Sequence, residues 1–271
     1  MQKKPAPRLP AGQRKDAIAR AVLPVLARKG FDGVTTRELA IVSGISEALI
    51  FRHFPTKDQL CAEIYDYCSN TFELNYARIA QLAPSAQSLA KLVYFVIRGI
   101  VVKRAEGSEA AMRLLYRSML EDGRYASQVF GGRQLALVRK QFSACLAAAQ
   151  GEGDATALET PIKDLFWFTH HTASLVCLVR LGDKPVVTYG GSVETLVGEL
   201  TRFSLRGIGL SDAGIRKYAG NAVFAQWLRS PELTLLSPLP EVGKPTSASR
   251  KSRRTPVASA AVQRSDRGRA R

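Results

Sequence analysis

Apolar residues recur every three or four positions along most of this chain, and few stretches alternate with a period of two. This spacing places apolar side chains on one face of a helix, so it predicts an all-α protein. Clusters of glycine and proline separate the periodic stretches. Besides two short helices considered below, helices are expected over about 13–29, 57–82, 85–104, 107–121, 124–149, 159–181, 191–208 and 212–228.

The first predicted helix, 13–29, has an apolar residue at every fourth position from Ile18 to Leu26. Gly30 follows at a place where helices commonly end in the left-handed conformation. Pro24 lies inside the helix, where it removes a backbone donor. The pattern therefore predicts a helix with an internal kink.

Two short helices joined by a tight turn are predicted after this first helix. Thr35 and Glu38 have the spacing of a capping box, which begins a helix. Ala40 is small enough to let two helices cross closely, Gly44 can adopt the left-handed conformation of a turn, and Ile50 can fill the shared core. This spacing is typical of a helix-turn-helix DNA-binding unit.

The second short helix is predicted over 46–53, with Ser46 as its N-terminal cap. A helix that enters the major groove reads bases with its N-terminal side chains. On the outward side of this helix, apolar side chains can contact thymine methyl groups, and an arginine can contact a guanine or a phosphate. The outward residues are Glu47, Ala48, Leu49 and Arg52. The residues expected near phosphates are Thr35, Thr36, Arg37, His53 and Lys57.

Three segments, 30–40, 44–46 and 50–60, resemble the N-terminal domain of the tetracycline-repressor (TetR) family, and the similarity covers about residues 13–65. The resemblance implies a homodimeric, all-helical bacterial regulator, most often a repressor, that binds a palindromic operator. It also implies release of the operator when a small molecule enters the C-terminal domain. Carried over to matching positions, the DNA-contacting set is Thr35, Thr36, Arg37, Ser46, Ala48, Leu49, Phe51, Arg52, His53 and Lys57.

Phe51 departs from the family pattern, which commonly has tyrosine at this position. Since phenylalanine has no hydroxyl, it cannot bond a phosphate there, and any contact with DNA is limited to packing. The alternative interpretation of Phe51 is an aromatic residue of the protein core.

Together with the charge and composition of the two ends, the resemblance predicts four segments along the chain. They are a basic N-terminal arm (1–12), a helix-turn-helix domain (13–65), a helical ligand-binding and dimerisation domain (66–229) and a basic tail (230–271). The tail is rich in Pro, Ser, Ala and Arg, which predicts disorder.

Two helices near the C-terminal end of the helical domain, 161–181 and 191–207, match those that pair between subunits in the family. Each carries an apolar stripe at helical spacing, which suits a two-fold interface, although the stripes could instead pack within one chain. The stripe residues are Leu165, Phe168, Thr172, Leu175 and Val179 in the first helix, and Val193, Leu196, Val197, Leu200 and Phe203 in the second.

A pocket for a small-molecule effector is expected among the middle helices. Aromatic and sulfur-containing side chains with a few polar groups are the usual lining for a mostly apolar ligand, although ordinary core packing also explains them. The candidate lining residues are Tyr94, Met112, Tyr116, Met119, Tyr125, Phe130, Phe166 and His170.

The formal net charge of +16 is concentrated at the two ends of the chain. Residues 1–15 carry five Lys or Arg and no acid, and residues 241–271 carry nine Lys or Arg and two acids. The 225 residues between them carry a net charge of only +4. Cationic arms favour a polyanionic partner such as double-stranded DNA. The alternative function is therefore a constitutive nucleic-acid-binding protein that depends on its basic arms.

No membrane or exported segment is predicted, so we expect a cytoplasmic bacterial protein that lies on the nucleoid when bound to DNA. The most apolar stretch, 89–102, is too short to span a bilayer and is interrupted by Lys91 and Arg98. The N-terminus has no apolar segment of the kind found in signal peptides. The four cysteines have no CxxC spacing, which is typical of reduced thiols. Cys61 and Cys68 share a helix face, so a redox-active pair is the alternative interpretation for these two.

The chain offers little for catalysis or metal binding. The adjacent His170 and His171 point to different helix faces, and Cys177 lies too far along the helix to complete a set of ligands. There are three histidines in all, no nucleophile elbow and no Gly-rich phosphate loop. We therefore expect no metal, no cofactor and no enzymatic activity; an enzyme that uses the helical domain as a pocket is the third hypothesis.

Overall fold

The computed structural model describes residues 11–70, 79, 81–102, 108–182 and 184–228. In this part of the chain the regular structure is helical, with one isolated bridge between Ala155 and Leu210, so the predicted all-α class is confirmed. The helices are α1 Ala11–Lys29, α2 Thr36–Ser43, α3 Glu47–His53, α4 Lys57–Asn70, α5 Ala86–Val101, α6 Ser108–Leu120, α7 Arg124–Gly131, α8 Arg133–Gly151, α9 Ile162–Leu178, α10 Val193–Gly207, α11 Asp212–Tyr218 and α12 Asn221–Leu228.

Several predicted segments extend beyond the described residues. The predicted tail, 230–271, most of the predicted arm, 1–12, and much of the second half of the predicted helix 57–82 lie outside them. The chain divides into two units, Met1–Leu239 and Pro240–Arg271, and every described residue belongs to the first.

The prediction of one helix over 124–149 is wrong, because α7 ends at Gly131 and α8 begins at Arg133. Gly132 between them is extended, with φ −65° and ψ 153°. A Cβ atom at this position would lie 2.0 Å from the hydroxyl oxygen of Tyr65 on α4. The glycine therefore leaves room for the Tyr65 hydroxyl and the Gln128 carbonyl, and any side chain here would force them to shift.

The prediction of one helix over 212–228 is also wrong. Helix α11 ends at Tyr218, and Ala219 leaves the helical conformation before Asn221 begins α12. The side-chain oxygen of Asn221 accepts a hydrogen bond of 2.8 Å from Arg202 on α10. This tertiary contact holds the start of α12 against α10.

Helix α1 continues through Pro24, whose side chain lies on the exposed face. Its opposite face is fully apolar, and Val22 and Leu26 have no exposed surface. The carbonyl group that lacks a hydrogen-bond donor because of Pro24 therefore lies on the solvent side of the helix, where water can donate to it.

The apolar side chains form two cores. One core joins α1–α4 with α6 and α7, and it includes Leu114 and Tyr125. The other joins α5 with α8–α12, and Phe142 and Phe166 are among its fully buried side chains. Helices α6 and α7 thus share a core with the N-terminal helices, which places them between the helix-turn-helix and the rest of the chain.

Candidate nucleic-acid interface

The start of α2 has the capping box that the sequence predicts. The Thr35 Oγ1 accepts a hydrogen bond of 3.2 Å from the Glu38 backbone N–H, and the Glu38 carboxylate accepts one of 3.1 Å from the Thr35 N–H. Lys29, at the end of α1, forms an ion pair with the same carboxylate. These hydrogen bonds lower the pKa of Glu38, with Lys29 as the largest cause.

The turn between α2 and α3 depends on Gly44, which has φ 67° and ψ 28°. Its N–H and that of Ile45 bond to carbonyl groups in the last turn of α2. Ser46 then caps α3, since its Oγ accepts a hydrogen bond of 3.3 Å from the Leu49 N–H. The predicted turn and both caps are confirmed.

Helix α3 is anchored by one buried side chain and presents four exposed ones outward. Ile50 is 2% exposed and packs in the N-terminal core with Leu39 and Phe54. Leu49 is half-buried. The exposed side chains of α3 are Glu47, Ala48, Phe51 and Arg52. Phe51 is 55% exposed and therefore lies on the outer surface and not in the core.

The residues predicted near phosphates differ in how freely they can reach DNA. Thr35 and Arg37 are exposed at the start of α2, while Thr36 is half-buried. Lys57 forms an ion pair of 2.5 Å with Asp32, and this pair lowers the pKa of Asp32. The ammonium group of Lys57 can therefore bind a phosphate only by sharing or exchanging this carboxylate.

His53 is half-buried, and its Nε2 is shielded from solvent without a hydrogen-bond partner among the described residues. Burial lowers the pKa of His53, and the nearby positive charges of Arg14, Lys15 and Arg52 lower it further. The ring is therefore neutral at neutral pH. Approach of a phosphate would supply a negative charge and favour protonation.

Two arginines on successive turns of α6 connect distant parts of the chain, which no pattern in the sequence predicts. Arg117 Nη1 donates a hydrogen bond of 2.5 Å to the carbonyl of Arg28, at the end of α1. Arg113 Nη2 donates one of 2.9 Å to the carbonyl of Leu181, just after α9. Helix α6 therefore joins the C-terminal ends of α1 and α9, whose carbonyl groups attract cations.

The predicted interface stripes on α9 and α10 divide into buried and exposed residues. Leu165, Leu196, Val197 and Leu200 are buried in the core of their own chain, and Thr172, Val179 and Val193 are half-buried. Three large side chains remain exposed: Phe168 at 61%, Leu175 at 61% and Phe203 at 66%. These three residues are called the exposed apolar face below.

Five of the eight predicted ligand-binding residues divide between the two cores: Tyr94 and Phe166 belong to one, and Met112, Tyr125 and Phe130 to the other. Tyr94 stacks on Phe224 with ring centroids 4.1 Å apart, Tyr125 and Phe166 are fully buried, and Met119 is exposed. Phe130 and His170 pack edge to face at 5.7 Å. The hydroxyl of Tyr116 donates a hydrogen bond of 2.5 Å to the carbonyl of Ser174, and Met112 packs on the N-terminal core. None of the eight lines the two cavities described below.

The described residues contain no group of three or more His, Cys, Asp and Glu that could hold a metal ion. Their four cysteines form no disulfide. None of their helices combines the length and apolar character required to cross a membrane.

The fold and the capped, outward-facing α3 define a helix-turn-helix DNA-binding protein. Residues 18–64 match the family model of bacterial regulatory proteins of the tetR family. The resemblance to this family that the sequence shows is therefore confirmed for the N-terminal segment.

A known protein is similar to part of this chain. The nucleoid occlusion factor SlmA of Aliivibrio fischeri is 25% identical over 126 residues, which cover 45% of this chain and 61% of SlmA. The match thus spans about three fifths of the curated relatives' length.

Two solved structures show the same fold at low identity. A tetR-family regulatory protein from Rhodococcus RHA1 has a TM-score of 0.55 and 19% identity, covering 74% of this chain and 99% of that one. AibR, solved in complex with isovaleryl coenzyme A and operator DNA, has a TM-score of 0.54 and 15% identity, covering 70% and 97%.

Proposed function

We propose that this protein is a ligand-responsive transcriptional regulator, most simply a repressor, that binds a palindromic operator as a homodimer. The observation that carries the proposal is the geometry of α3, which is capped by Ser46 and anchored by Ile50 while Ala48 and Arg52 face outward. A helix presented in this way can enter the major groove and read base edges. Thr35 and Arg37 at the start of α2 then lie beside it for phosphate contacts.

In this proposal, residues 13–65 bind DNA and residues 66–229 bind the effector and the second subunit. The exposed apolar face on α9 and α10 supports dimerisation, because its three large apolar side chains are exposed to solvent in the single chain. The same surface on two copies would bury them around a two-fold axis. A dimer would also supply the second recognition helix that a palindrome requires.

Release of DNA by a small molecule is supported by the position of α6. Its side chains pack in the N-terminal core, and Arg117 and Arg113 hold the ends of α1 and α9. A ligand that shifts the end of α9 would act on α1 through this helix. Also, α4 is linked to α7 by an ion pair of 3.2 Å between Asp58 and Arg124. A change of a few ångströms in the separation of the two recognition helices would remove one half-site from reach.

The rival function is constitutive nucleic-acid binding through the basic ends of the chain. Nucleoid occlusion, for which SlmA is named, is consistent with either function on this fold. The two functions differ in their salt dependence, since binding through many phosphate contacts weakens steeply with salt and does not distinguish sequences.

Fluorescence anisotropy separates the two functions. Full-length protein and a protein ending at Leu239 are titrated with DNA from upstream of the protein's own gene and with scrambled DNA, at two salt concentrations. A preference for the upstream DNA that persists at the higher salt and without residues 240–271 supports the regulator. Equal binding to both DNAs that disappears with the tail supports the rival.

A further inference from the structure

A cavity of about 190 Å³ lies where the C-terminal ends of α5 and α9 meet the first residue of α10. Its walls are formed by Val101, Val102, Cys177, Arg180, Leu181 and Val193. Since a buried thiol behaves as a small apolar group, the lining is apolar except for Arg180. A cavity with this composition suits an apolar molecule that carries one anionic group.

A second cavity, of about 150 Å³, adjoins the same arginine. It shares Arg180 and Val193 with the first, and it adds the hydroxyl-bearing residues Thr188, Tyr189 and Ser192. Arg180 therefore borders an apolar space on one side and a more polar one on the other. An amphipathic ligand could occupy the first cavity with its apolar part and direct its polar end towards the second.

Arg180 has N–H donors available to bind such a ligand. Its Nη1 lies 3.5 Å from the carbonyl oxygen of Val101, which is at the long limit of a hydrogen bond. Among the described residues, no carboxylate forms an ion pair with it. A guanidinium group offers five N–H donors in a planar arrangement that matches a carboxylate. A half-buried cation beside an apolar cavity is stabilised by an anion.

We infer that this cavity binds a small organic carboxylate, with Arg180 holding the carboxylate and the apolar walls holding the rest of the molecule. An apolar cavity of about 150 Å³ accommodates benzene, so the larger of the two cavities has room for a ring or a short chain with its acid group. The inference rests on the proposed function only where it makes this ligand the effector that releases DNA.

The walls of the cavity are tied to α6, which gives the ligand a route to the DNA-binding domain. Arg113 donates its hydrogen bond to the carbonyl of Leu181, a wall residue. Tyr116, one turn further along α6, has its hydroxyl beside the Cys177 thiol, another wall residue, and burial raises the pKa of this tyrosine. A ligand that moves Leu181 or Cys177 would therefore shift α6, and through Arg117 the end of α1.

Calorimetric titration of the full-length protein tests the site without DNA. Benzoate and hexanoate are compared with benzamide and hexanamide, which have the same shapes but no charge. Because a hydrogen bond to a charged group contributes about 1.5–3 kcal/mol, at least one carboxylate should bind roughly tenfold or more tightly than its amide. The Arg180→Gln variant should lose this preference, while Arg216→Gln, an exposed arginine on α11, should keep it.

A second variant tests the apolar part of the site. Val102→Phe adds a ring where the side chain of Val102 lines the cavity, so it should weaken both members of each pair, with folding checked by circular dichroism. The inference is overturned if no carboxylate binds, if acid and amide bind equally, or if Arg180→Gln binds as the unchanged protein does. If a carboxylate binds but the affinity for operator DNA is unchanged, the cavity is a carboxylate site but is not the effector site.

Discussion

Gly44 is the residue on which the turn between α2 and α3 depends. Its φ of 67° lies in the left-handed region, and no atom outside its neighbourhood lies within 4 Å of where a Cβ would stand. The cost of a side chain here is therefore conformational and not steric. We expect Gly44→Ala to lower the free energy of unfolding by about 1–2 kcal/mol, as measured by urea denaturation.

Gly207 provides the matched control for this substitution. It lies in the last turn of α10, also has open space around its Cβ position, and has no positive φ. Since alanine favours helix more than glycine does, Gly207→Ala should leave stability unchanged or raise it by up to about 1 kcal/mol. Equal losses at both positions would contradict the conformational explanation.

His170 makes stability depend on pH. Burial among Phe130, Phe166 and Trp167, with a smaller contribution from the neighbouring His171, lowers its pKa to about 4. Between the ordinary value of 6.5 and about 4, the unfolded chain binds a proton that the folded chain does not. Stability due to this residue is therefore complete above pH 6.5 and is lost as the pH falls to about 4.

The measurement for this prediction is the free energy of unfolding from pH 7 to pH 4.5 for the unchanged protein and for His170→Gln. Each proton taken up on unfolding contributes a slope of about 1.4 kcal/mol per pH unit, so the variant should lose stability less steeply. Other acidic and basic groups titrate in both proteins and cancel in the comparison. Parallel curves would show that His170 does not titrate in this range.

At the scale of elements, the short α2 and α3 were predictable and the break between α7 and α8 was not. The capping box of Thr35 and Glu38 and the turn at Gly44 involve residues within a few positions of each other, so the sequence contains the whole interaction. The close contact between Gly132 and the hydroxyl of Tyr65 joins residues that are distant in the chain and meet only in the folded protein. The hydrogen bond from Arg117 to Arg28 was unpredictable for the same reason.

Helix α6 should transmit changes to α1 through Arg117. Replacing this residue in Arg117→Gln removes the charged donor to the Arg28 carbonyl and the ion pair of 2.7 Å with Glu121. We expect faster hydrogen–deuterium exchange in a peptide covering residues 24–34, because the last turn of α1 loses its partner. Arg216→Gln on α11 is the matched control. Equal exchange in both variants would show that α6 does not transmit changes to α1.

At the scale of the whole molecule, the proposed homodimer depends on the exposed apolar face on α9 and α10. A charge at Phe203 would appear twice at a two-fold interface and would have to be buried without a partner. Phe203→Glu should therefore give a monomer of 29.6 kDa by light scattering after gel filtration, where the unchanged protein gives twice this mass. Leu120→Glu on α6, at a position that is 88% exposed, is the control and should remain dimeric.

A dimer that persists in Phe203→Glu would move the interface elsewhere and would leave the face on α9 and α10 without a known role. The sequence alone predicted ten stripe residues for this interface. It could not separate the four that are buried within the chain from the three that remain exposed, because both sets have helical spacing and apolar character. Burial within one chain depends on which helices pack together.

The claim that α3 reads DNA as one half of a dimer is tested most directly by selecting binding sites from a pool of random duplexes. The selection is made with the full-length protein and with Arg52→Ala and Arg216→Ala variants. We expect an inverted repeat with half-sites about one helical turn apart, retained by Arg216→Ala and lost or relaxed at one base position per half-site by Arg52→Ala. A pool that stays random, or the same repeat from all three proteins, would contradict the claim.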